Sequence, residues 1–169
     1  MSMVAKKSNK EHLTPVQRAF EFVPVVGVPI LMCFFIYHQV EDTGFFTDKF
    51  GTLEMACFYV PMLLAMLPPL ARIYTGVRNP ARPLDALSNV SLAIGSLILL
   101  LVFPFNYAHL ADPLPDSLES ILSWITDDIA KIFLILQVVI ASVNAVIHLW
   151  KYISFQQDEP ASSAFQQVS

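Results

Sequence analysis

Residues 86–111 read ALSNVSLAIGSLILLLVFPFNYAHLA, twenty-six consecutive positions without Asp, Glu, Lys or Arg. A helix rises about 1.5 Å per residue, so about 20 apolar residues cross a hydrocarbon core of about 30 Å. Three further stretches share this character: 22–40, 55–71 and 132–150, of 19, 17 and 19 residues. The second reaches full length by taking in Glu54 or Arg72 at its ends. Barrel strands alternate over about 10 residues, and these blocks do not alternate. A helix of a water-soluble bundle needs a polar, charged face, and none of the four has one. The reading is therefore all-α: an integral membrane four-helix bundle with spans at about 22–40, 54–73, 85–106 and 130–151.

Composition agrees. Of 169 residues, 14% are charged and 55% hydrophobic, where soluble domains carry about 25% charged residues. A net charge of −4 gives no basic surface for nucleic acid. Eight of the ten basic residues flank the spans on one side: Lys6, Lys7, Lys10, Arg18, Arg72, Arg78, Arg82 and Lys151. Basic flanks remain cytoplasmic, which sets both termini inside and the turns near 41–53 and 106–131 outside. Nine of the fourteen acidic residues fall on that outer side. The expected location is a plasma (inner) membrane, multi-pass, with the lipid bilayer itself as a partner.

Between the spans, residues 1–18 form a basic, loosely ordered cytoplasmic segment that suits anionic headgroups. Phe45, Phe46 and Phe50 in the first outer turn are expected to dip into the interface. Leu118, Ile121, Leu122 and Ile125 follow i, i+3, i+4, i+7 spacing, the pattern of a short amphipathic interfacial helix before the fourth span. It serves as a lid on the bundle or as a docking surface. The tail 153–169, rich in Gln and Ser and without periodicity, reads as a disordered cytoplasmic segment.

Polar groups inside lipid are costly and mark packing seams or pathways. The fourth span carries Gln137, Ala141, Asn144, His148 and Lys151 on one face. The third carries Asn89 and the small-xxx-small pair Ser91 and Gly95, which permits close helix approach. Asn89 and Asn144 lie at similar depth and are expected to pair across the helix interface. Arg72, Arg78 and Arg82 cluster with Asp85 at the cytoplasmic surface as topogenic charge or as phospholipid-headgroup contacts. Pro24, Pro29, Pro61, Pro68 and Pro69 break backbone hydrogen bonds within the first two spans, as in helices that line transport sites.

No metal, haem or other cofactor is expected. His38 and His148 stand at opposite membrane faces, and His38 with His109 lacks ligand spacing. Cys33 and Cys57 read as free, buried thiols, since no CxxC motif exists. Walker, GxSxG, HExxH and dinucleotide-binding patterns are absent from the sequence. The expected function is a non-catalytic structural or accessory subunit of a larger membrane complex, its partners other membrane subunits or further copies of itself. The alternative is an oligomeric small-solute transporter or channel, with a water-filled cavity reaching Gln137 and Asn144. An interfacial enzyme would need His38, His109 and the outer acidic residues to converge.

Overall fold

The computed structural model describes residues 12–166, with side chains for all of these except Asp116, Leu118 and 155–166. Six α-helices follow in order: α1 (Pro15–Phe20), α2 (Phe22–Val40), α3 (Thr52–Thr75), α4 (Arg82–Val102), α5 (Asp116–Leu122) and α6 (Asp127–Gln166). There is no strand among the described residues, only two isolated bridges. Four segments are long and apolar enough to cross a membrane: Pro15–Val40, Thr52–Thr75, Asn79–Val102 and Asp127–Ser154.

Local chemistry sets where the helices stop. The Glu54 carboxylate accepts from the Gly51 backbone N–H at 3.1 Å and closes the start of α3. Gly76, at φ +68°, ends it in the left-handed conformation that glycine adopts without a Cβ penalty. Pro83 fits the first turn of α4, where its missing N–H costs nothing. That helix ends at Val102, short of the expected 106, because Phe103 turns to φ +41° and Pro104 cannot continue the ladder. Asp127 and Asp128 open α6, where their charge complements the helix dipole.

The long helices stand in an open row, α2 on α3, α3 on α4 and α4 on α6, while α2 and α6 make no substantial contact. The α3–α4 contact includes one very close approach. Pro61 has no N–H to give the Cys57 carbonyl four residues earlier, so that oxygen lacks its helical donor. Gly95 of α4 lies against it so closely that a Cβ would sit 2.4 Å from the Cys57 oxygen. Along α6, Ala130, Ala141 and Ala145 are buried while Ile140, Val143 and Val146 are exposed. The face carrying Gln137, Ala141, Asn144 and His148 is thus the one turned to the neighbouring helices, and Lys151 stays exposed.

Four expectations need correction. Phe45, Phe46 and Phe50 do not splay outward. The turn that carries them reverses at Gly44 (φ +89°) and bonds back to the end of α4, through Thr47 N to Pro104 O at 3.0 Å and Asn106 N to Phe45 O at 2.8 Å. Residues 12–18 are ordered: Thr14 and Gln17 form a capping box for α1, Leu13 N bonds Gly76 O at 2.9 Å, and Arg18 donates to the Ile73 carbonyl. The rest of the basic segment, 1–11, lies outside the described residues. At the other terminus the helix runs on through Gln166, because adding a residue to a formed helix needs no new nucleus; residues 167–169 lie outside the described ones. Cys33 and Cys57 are both free, with Cys33 exposed rather than buried.

Candidate functional site

The two ends of the helix row carry different chemistry. At the basic end, Arg72 of α3 meets side chains from α4 and from the α1–α2 junction. Its guanidinium reaches both Asp85 oxygens at 2.8 and 2.9 Å and Glu21 Oε1 at 2.8 Å. Asp85 stands one turn into α4 and Glu21 at the α1–α2 junction, so one cation ties α3 to both neighbours. His148 of α6 brings Nδ1 to 3.7 Å from Asp85 Oδ2, too far for a hydrogen bond, and this buried nitrogen has no partner. With Arg78, Arg82 and Lys151 these groups line a small polar pocket of about 220 Å³. Arg72, Arg78 and Arg82, which the sequence groups, are thus brought together; Glu21 and His148 join them from opposite ends of the chain.

Asn89 does not cross to Asn144. Its amide donates to the Asp85 carbonyl at 2.7 Å, one turn back on its own helix, and no hydrogen bond links the two side chains. Equal depth fixes height along a helix but not rotation about it, and the local carbonyl competes successfully.

The aromatic end is built from rings. Phe45 is fully buried, with ring centroids of Phe35, Phe46, Phe105 and Tyr107 at 4.9–5.5 Å, and His38 at 4.9 Å. Such offset and edge-on pairs add about 0.5–1.5 kcal/mol each beyond the area they bury. His38, also fully buried, faces the Thr43 hydroxyl through Nδ1 and the Leu110 carbonyl through Nε2 at 3.2 Å. Both nitrogens are therefore engaged in tying the end of α2 to the cap. His109 pairs instead with Asp112 at 2.9 Å. No group of three or more His, Cys, Asp or Glu able to hold a metal occurs among the described residues. The acidic residues of this end do not converge on a histidine pair.

Beneath the cap lies a cavity of about 400 Å³ between α2 and α6, floored by α3 and α4. Leu31, Phe34 and Phe35 of α2 face Ala130, Phe133, Leu134 and Gln137 of α6 across it. Leu122 and Ile125, from α5 and just after it, help to roof it and pack against the aromatic cluster. That is the lid position, although Leu118, part of the same expected stripe, is not among the described side chains. Among the described residues, Gln137 and Ser96 are the only non-aromatic polar side chains on the wall apart from Cys57. Asn144 does not reach it. The pocket opens sideways between α2 and α6, and its walls are mostly apolar. Hydrocarbon is the filling that such walls favour.

The sequence points to a cavity reaching Gln137 and Asn144; the pocket reaches Gln137 but not Asn144, and its apolar lining is not foreseen. Its wall combines residues from every long helix with loop aromatics about 60–90 positions away, and no local period records that. Gln137, a polar residue within an apolar span, is the one part of the wall that the sequence marks. No protein-family model, curated protein or solved structure matches this chain.

Proposed function

We propose that this chain is a non-catalytic subunit of a larger membrane assembly, spanning a plasma (inner) membrane four times with its basic end and both termini in the cytoplasm. The observation that carries the reading is the state of α2. Over most of its length it leans on α3 alone, and only its last turns reach the cap through Phe34, Phe35 and His38. Val23, Val26 and Ile30 stay half-exposed or more on a helix that no second neighbour covers. In water such surfaces would aggregate; in a bilayer they meet lipid or a partner helix, and small-residue seams on α4 show how closely helices of this kind pack. Arg72, Asp85 and Glu21 meanwhile pair with one another at the basic end, away from the middle of the spans.

A photoreactive residue at Val26 or Ile30, irradiated in native membranes, tests the proposal. A discrete protein adduct supports it. Adducts with lipid alone, together with extraction as a monomer, overturn it. The transporter reading draws on the cavity reaching Gln137, but the apolar walls and the missing Asn144 contact give a hydrated solute no path.

A further inference from the structure

We propose that the cavity between α2 and α6 is a binding site for one neutral lipid that bears a hydroxyl or carbonyl group and no phosphate. Two independent observations meet here. The first is size and lining: about 400 Å³ lies within the range of ligand pockets, about 300–1,000 Å³. At about 30 Å³ per small group, the share of a water molecule in the liquid, it accepts a chain or ring system of roughly a dozen such groups. Phe34, Phe35, Phe58 and Phe105 crowd its cap end, and no Asp, Glu, Lys, Arg or His lines it, so a charged guest has no counter-ion.

The second observation is the unmet hydrogen bonding. Neither the Gln137 amide nor the Ser96 hydroxyl has a hydrogen-bond partner among the described residues, and both border the cavity. An amide facing only hydrocarbon is unfavourable, and a plain alkyl chain would leave it so. A hydroxyl or carbonyl on the guest would satisfy it. Depth then separates lipid classes. Gln137 stands ten residues into α6, about 15 Å along the axis from its start, well within the apolar stretch. The ester groups of a phospholipid lie near the membrane surface and do not reach it; the hydroxyl or carbonyl of a long-chain alcohol, a prenol or a quinone does, with the rest of the chain projecting between α2 and α6 into the bilayer. Because α2 and α6 do not pack together, such a guest enters sideways from the bilayer without crossing water.

The inference rests on the membrane-spanning reading and not on the subunit reading. Diazirine-labelled hexadecanol in liposomes holding the full chain is the probe, with hexadecanol and hexadecane as competitors. Labelling is expected on the peptides around 31–35 and 130–137, competed at least fivefold better by hexadecanol than by hexadecane. Leu134→Trp, which fills the space, is expected to abolish it. Gln137→Leu is expected to erase the preference for the alcohol while raising the melting temperature of delipidated protein, since the unpaired amide is gone. Labelling spread evenly along the exposed helix faces, equal competition by both compounds, or alcohol preference kept in Gln137→Leu would overturn the proposal. A chain that proves inserted but shows even labelling fails this inference alone; a chain that does not insert fails the spanning reading.

Discussion

The basic end and the aromatic end solve one problem, the closure of an open row of helices, by opposite means. At the basic end a single guanidinium, Arg72, holds Glu21 and Asp85, so closure depends on direction and charge. At the aromatic end Phe45 sits among rings on many sides, so closure depends on volume. A charged clasp can serve two partners with few atoms, but it leaves neighbours such as His148 Nδ1 unpartnered. A ring cluster tolerates no vacancy, yet it holds the roof of a cavity without placing any charge on it. The end built from rings is closed by packing, and the end that carries the basic flanks is closed by ions.

Removing the centre of the ring cluster should have the largest effect. Phe45→Ala empties a fully buried site and is expected to lower stability by about 3–5 kcal/mol, measured by thermal unfolding in detergent micelles. A loss below 1 kcal/mol would mean that the cap does not hold the helices. Arg72→Met comes next. It strands Asp85 and Glu21 at a site only 18% exposed on the arginine side, for an expected loss of about 2–4 kcal/mol. If its loss exceeded that of Phe45→Ala, the ranking of the two ends would be reversed.

Gly95→Ala probes the seam that joins both ends. The new methyl would meet the Cys57 carbonyl at 2.4 Å, so α3 and α4 must part, at an expected cost of about 1–3 kcal/mol. Neutrality or stabilisation in the same assay would show that the approach is not tight. The smallest effect is a matter of pH. Burial, with the Asp127 charge nearby, pushes the Tyr107 phenol up to about 12. In the unfolded chain a tyrosine ionises near pH 10. The folded protein therefore keeps a proton that the unfolded chain has released, and stability is full below about pH 10 and falls as pH rises toward 12. Absorbance at 295 nm should show late tyrosine ionisation whose amplitude Tyr107→Phe reduces.

Much of the helix layout was legible because charge-free length is a property of contiguous residues. So was the cluster of Arg72, Arg82 and Asp85, whose members bracket one turn. The close approach at Gly95 is foreshadowed by the Ser91–Gly95 spacing, but not its partner: that follows from Pro61, which frees a carbonyl on a different helix. The aromatic end was misread, since Phe45, Phe46 and Phe50 have no period and their partners Phe105 and Tyr107 stand about 60 residues later. Asn89 shows a similar limit. Depth arithmetic placed it level with Asn144, while helix rotation left it bonded to Asp85.

Sidedness is tested most directly in sealed vesicles of both orientations, on a Cys33→Ser, Cys57→Ser background. Single cysteines at Arg78 and Glu119 would be exposed to a membrane-impermeant maleimide. The account predicts that Arg78→Cys labels only from the cytoplasmic side and Glu119→Cys only from the opposite one. Labelling of both from a single side would contradict it.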